Sequence, residues 1–193
     1  MEEQRNLGRL VLLPTGAGES RPLGTEGLKC AEPVLWFPDG KRALVTCRSP
    51  APRAYLLDVD GGKPRPLTPE GTSCTAISPD GREAACVDLT QKWLVYPTES
   101  GPPRSLPGIG DRELVIQWSA DGRSLFVRGS PDLPQEVFRL DLASGRRQLW
   151  KTIGPSDPAG VYKIDPAITP DGRSYAYVYN RRISDLWLVD GLR

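Results

Sequence analysis

The tetrapeptide Pro38-Asp39-Gly40-Lys41 returns as Pro79-Asp80-Gly81-Arg82, Ala120-Asp121-Gly122-Arg123 and Pro170-Asp171-Gly172-Arg173, and its Asp positions are 41, 41 and 50 residues apart. A repeat of about forty residues has room for one four-stranded sheet and matches the period of a propeller blade. The tetrapeptide itself specifies a tight turn. Pro presets φ at the first corner, Asp hydrogen-bonds the backbone two residues on, and Gly takes the left-handed conformation that closes a hairpin. Asp39, Gly40, Asp80, Gly81, Asp121, Gly122, Asp171 and Gly172 are therefore read as structural turn residues.

Strand-like sequence flanks every turn. Val34 to Phe37, Thr75 to Ser78, Val115 to Trp118 and Ala167 to Thr169 lead in; Ala43 to Thr46, Ala84 to Val87, Leu125 to Val127 and Tyr175 to Val178 lead out. Three residues before each Asp stands Trp36, Ile77, Trp118 or Ile168. The runs are apolar on both faces, as in strands sandwiched between neighbouring sheets. A second hairpin follows, with outward legs at Tyr55 to Val59, Trp93 to Tyr96, Val137 to Leu140 and Leu186 to Val189. Its return leg reads Arg65-Pro66-Leu67, Arg104-Ser105-Leu106 and Arg147-Gln148-Leu149, and the recurring Arg is expected to share one packing role. Pro64, Pro66, Pro102 and Pro103 mark this leg as the outer edge, where no ladder donor is needed.

Helical periodicity is absent, so the fold class is all-β: a β-propeller of antiparallel four-stranded blades, about four per chain. The units run as half a blade over 8–28, whole blades over 30–69, 72–108 and 112–153, and a blade lacking its outer strand over 161–193. Such a ring is left partial or completed by a second copy, because a propeller hides its edges by joining strands from opposite ends.

Composition narrows the chemistry. The 193 residues contain no histidine, which removes Ser-His-Asp and Cys-His arrangements, His-containing metal sites and the commonest base near neutral pH. The 25 Lys and Arg and 24 Asp and Glu are interspersed, without the basic stripe of a nucleic-acid binder. No run is long enough for a membrane helix, and the charged start is not a signal peptide. The four cysteines, Cys30, Cys47, Cys74 and Cys86, lack the spacing of a zinc or redox pair, and free buried thiols are expected, with disulfides open until the compartment is known.

The block Ser78-Pro79-Asp80-Gly81-Arg82, followed by an apolar strand, a short hydrophobic strand and a Gly turn before Arg-x-Leu, resembles the WD40-like repeat of TolB-type propellers across nearly the whole chain. The stretch from Tyr162 to Tyr177, with Arg181 to Leu192, resembles the tail of propellers attached to bacterial serine/threonine protein kinases. The second resemblance implies a sensor or scaffold propeller carried by a kinase, often across a membrane span. The chain would then be extracytoplasmic; as it stands it reads as a soluble, cytoplasmic protein. No kinase signature is present in the sequence. The same repeat class also precedes the catalytic domain of prolyl-oligopeptidase-like hydrolases.

No catalytic residue, cofactor or metal site is expected. Asp58 and Asp60 share a strand face but read as a solvated strand end before Gly61-Gly62, and Gly16-Ala17-Gly18 reads as a turn because no helix follows. Trp93, Trp150 and Tyr162 are candidate anchors, most of them expected in the core. The longer spacing before the last turn comes from an irregular connection, Lys151 to Gly160. Extra loop length on a regular scaffold is where binding tends to live. Lys151, Pro155, Asp157 and Tyr162 are accordingly the candidate partner-loop residues, and the expected function is a non-catalytic scaffold or sensor binding a protein or peptide.

Overall fold

The computed structural model describes residues 10–184 other than 26, 49, 131 and 132. The expected strand from Leu186 to Val189, the last nine residues of the final unit and the first two of the half blade lie outside the described residues. The elements are strands throughout. No helix among the described residues is long and apolar enough to cross a membrane.

A two-stranded hairpin comes first, β1 (Val11–Leu12) and β2 (Arg21–Pro22). Three four-stranded antiparallel sheets follow, each with its strands in sequence order. The first is β3 (Lys29–Trp36), β4 (Arg42–Arg48), β5 (Pro52–Asp58) and β6 (Arg65–Pro66). The second is β7 (Thr72–Ile77), β8 (Glu83–Asp88), β9 (Trp93–Pro97) and β10 (Arg104–Ser105). The third is β11 (Leu114–Trp118), β12 (Ser124–Arg128), β13 (Gln135–Asp141) and β14 (Arg147–Ile153), and β15 (Val161–Ile168) with β16 (Tyr175–Arg181) forms a final pair.

Outer-strand length follows proline. β6 and β10 are two residues long, with prolines in or just before them, whereas β14 contains none and runs for seven. Lys151, expected in the connecting loop, is therefore a residue of β14, and the connection shortens to Gly154 to Gly160.

The core is a series of layers, one between each sheet and the next. Strand alternation explains the assignment: neighbouring residues point to opposite faces. In β8, Ala84 and Cys86 pack with Leu44, Leu56 and Phe37 of the first sheet, while Ala85 between them packs with Trp118, Leu125 and Val127 of the third. In β12, Phe126 turns the other way and joins Ile164 and Ile168 of the last pair. Ala43, Val45 and Cys47 of β4 meet Leu23, with Leu10 and Leu12 beside them, in the layer under the first hairpin.

The position three residues before each turn Asp faces the preceding sheet. Trp118 is 1% exposed there, and its indole Nε1 donates to the Gly122 carbonyl at 3.0 Å. Trp36 occupies the same repeat position but is 49% exposed. Among the described residues, the unit before it supplies only the two outer strands, β1 and β2, so nothing covers the inner half of that face.

The cysteines correct the sequence reading. They are buried, as expected, but bonded: Cys30 to Cys47 and Cys74 to Cys86. Each bond joins directly opposed residues of the first two strands of a sheet. Register explains why spacing hid the pairing, since partners across a hairpin lie at distances set by the turn. The Cys74–Cys86 pair stands where the neighbouring sheets place Val34 opposite Val45 and Val115 opposite Val127.

Candidate partner-binding surface

The four turns share one geometry. Asp39 Oδ1 accepts the Lys41 amide at 2.8 Å, and Asp80, Asp121 and Asp171 accept those of Arg82, Arg123 and Arg173 at 3.0 Å. Gly40, Gly81, Gly122 and Gly172 have φ of 66°, 71°, 70° and 67°. Sequence reasoning missed a third member, the hydroxyl two residues before Asp. Ser78, Ser119 and Thr169 each donate to the carboxylate at 2.6 Å, and each accepts an amide beyond the turn, from Glu83, Ser124 and Ser174. The Ser/Thr-x-Asp-Gly pattern in three of four copies was the available signal. The first copy has the buried Phe37 instead, and Arg42 Nε reaches Asp39 at 2.9 Å.

These bonds hold the carboxyls of Asp80, Asp121 and Asp171 below the usual range, through the hydroxyl first and the backbone amide second. Asp39 is lowered chiefly by the Lys41 amide. Each turn carboxylate thus spends Oδ1 on its own turn, and the four lie one per unit, an arrangement that organises a turn.

The recurring arginines do not share one role. Arg21 of the first hairpin lies 3.7 Å from Asp60, and Arg65 of the first sheet lies 3.8 Å from Glu99, which also binds Arg42 at 2.8 Å. Asp60 and Glu99 are equivalent, each two residues past the third strand of the next sheet. The third equivalent is Ala143, and Arg104 turns back to Glu83 of its own sheet at 2.8 Å. Arg147 stands out of register, opposite Leu140, and pairs with Glu113 at 2.7 Å. What Leu23, Leu67 and Leu106 do share is an amide bonded back to the outward leg of the hairpin, at the carbonyls of Leu10, Ala54 and Trp93.

The connection before the last pair is tied down. Asp157 receives Arg181 on its carboxylate at 3.1 Å and on its carbonyl, and accepts the Ala159 amide at 3.1 Å. Tyr177 donates to the Gly154 carbonyl next to Pro155 at 3.0 Å. Lys151 lies over the rings of Trp150 and Tyr175, and the Arg182 guanidinium over Tyr162. Of the candidate anchors, Trp93 is buried, Trp150 is half-buried against Phe126 and Tyr175, and Tyr162 is 57% exposed. Tyr162 of β15 and Tyr175 and Tyr179 of β16 are exposed, with the half-buried Arg181 over Tyr179 and Arg182, just past β16, over Tyr162. Asp58 caps its own turn by accepting the Asp60 amide.

No family model matches the sequence, and no curated protein matches it. Solved structures do. A TolB protein of Agrobacterium tumefaciens superposes with a TM-score of 0.70 at 20% identity, over 91% of this chain and 64% of that one. TolB of Acinetobacter baumannii gives 0.66 at 18% identity, over 89% and 48%. An oligogalacturonate lyase of Vibrio parahaemolyticus gives 0.56 at 13% identity, over 91% and 66%. The chain spans less than two thirds of the length of either TolB. At these identities the likeness is one of architecture: the chain has an all-β, propeller-like fold similar to that of TolB.

Proposed function

We propose that this chain is a non-catalytic propeller module that binds a protein or peptide, and that it serves as the sensor arm of a bacterial protein kinase. The observation that carries the binding role is the exposure of three tyrosines on the last strand pair, Tyr162, Tyr175 and Tyr179, with the guanidinium of Arg182 over Tyr162 and that of Arg181 over Tyr179. Tyr and Arg dominate the energetic centres of protein interfaces, because each offers large contact area with a polar handle. The two disulfides support an oxidising compartment, the setting of an extracytoplasmic arm.

Selection of a displayed peptide library on the folded chain tests the binding role. Enriched peptides should lose affinity by at least about tenfold on Tyr162→Ala/Tyr179→Ala, a typical loss for interface anchors. A panel of esterase, peptidase, glycosidase and pectate substrates should stay at the buffer rate. Turnover abolished by one Asp or Glu substitution would replace this reading with an enzymatic one.

A further inference from the structure

Neighbouring units match one another by side-chain size. Four residues before and five after each turn Asp, the first two strands of a unit oppose each other: Leu35 and Leu44, Ala76 and Ala85, Gln117 and Phe126, Ala167 and Ala176. Such a pair lies under the residue three before the next turn Asp. Leu35 and Leu44 pack with Ile77, Phe126 with Ile168, and Ala76 and Ala85 with Trp118. A bulky pair therefore goes with Ile, and the alanine pair leaves room for an indole.

The first sheet and the last pair carry the two halves of one more such layer. In β16, strand alternation turns Tyr175 and Tyr177 toward Trp150 and Phe126 of the third sheet, and turns Ala176 and Val178 away from it. Ala176 is exposed, and Val178 is 68% exposed. Their equivalents in β8, Ala85 and Val87, pack on the third sheet. In the first sheet, Trp36 is 49% exposed and Val34 half-buried, whereas the equivalent Trp118 and Val115 are buried. The outer half of the Trp36 face is already built, for Leu10, Leu12 and Leu23 stand there as Trp93, Val95 and Leu106 stand in the layer of Trp118.

We propose that the last strand pair of one copy of this chain docks on the first sheet of a second copy. Ala167, Ala176 and Val178 close over Trp36 and Val34 as Ala76, Ala85 and Val87 close over Trp118 and Val115. Size identifies the occupant: Trp36 calls for a small pair, and of the two alanine pairs Ala76–Ala85 already lies under Trp118. The contact joins two different surfaces, so it is heterologous and links copies end to end. Burial of the indole and of Val178 drives it. Separated copies, in dilute solution, leave Trp36 half covered. The inference goes beyond peptide binding, since Tyr175 and Tyr179 point to the opposite side of β16 from Ala176.

Sedimentation velocity on the intact chain, with two single variants and their mixture, tests it. The parent should associate into species of two or more copies as its concentration rises to about 100 μM. Trp36→Asp spoils one surface and Ala176→Asp the other, so each variant alone should stay monomeric with a cooperative melt. Mixed, they should form a species of two copies and stop there, because one intact surface remains on each. Should Trp36→Asp fail to fold, Trp36→Ser takes its place. A parent that stays monomeric over the whole range overturns the proposal. So does association that survives in either variant, or a mixture that stays monomeric while the parent associates, since either result puts the contact elsewhere.

Discussion

Gly40 and Gly81 occupy the same turn position with nearly the same φ, 66° and 71°, yet they meet different surroundings. A Cβ at Gly40 would touch nothing, whereas one at Gly81 would lie 3.3 Å from both Phe37 and Pro38 of the preceding unit. Gly40→Ala should therefore cost only the left-handed backbone term, about 1 kcal/mol. Gly81→Val should cost more, roughly 1–3 kcal/mol, because a β-branched side chain adds its own clash at positive φ and presses on buried Phe37. Thermal melts of the two variants check this, and equal midpoints would mean that the turns do not pack on one another. The left-handed glycine and the Asp bond were legible because both are properties of four consecutive residues. The Phe37 contact was not, since it joins two repeats through packing.

At the scale of the strand pair, what could be read was again what is local. Runs apolar on both faces announced sandwiched strands, and prolines marked the short outer strands β6 and β10. The bonded cysteines were hidden because pairing depends on register, and β3 and β7 both carry irregularities that shift it. Register also yields a prediction. Since Val34–Val45 and Val115–Val127 fill the place of Cys74–Cys86 in the neighbouring sheets, Cys74→Val/Cys86→Val should fold with the sheet intact. It should be less stable than the oxidised protein by no more than about 3 kcal/mol, the entropic value of a cross-link closing roughly a dozen residues. Thiol reductant should lower the melting temperature of the parent by more than that of the variant, whose one bond is Cys30–Cys47. Equal sensitivity would show that the second bond contributes nothing.

At the scale of the molecule each sheet packs on its neighbours through the layers it shares with them, so stability is close to a sum of nearest-neighbour terms. The repeat alone made Trp36 and Trp118 equivalent; the layers make them opposites. Trp118 closes the layer between the second and third sheets against Ala76, Ala85, Trp93 and Val95. Its removal opens a large cavity in the middle of the stack, and Trp118→Ala should cost about 3–5 kcal/mol. Because that layer also couples the first two sheets to the rest, the variant should unfold in two separated transitions where the parent unfolds in one. Trp36 faces a half-covered layer, and Trp36→Ala should cost only about 1 kcal/mol, the transfer value of a side chain that keeps half its surface in water. Urea titrations followed by circular dichroism and by tryptophan emission separate the cases. A Trp36→Ala loss as large as that of Trp118→Ala would mean that the inner half of the Trp36 face is covered in solution. It would place on that face the inner strands of another blade, as the repeat places β7 and β8 on Trp118.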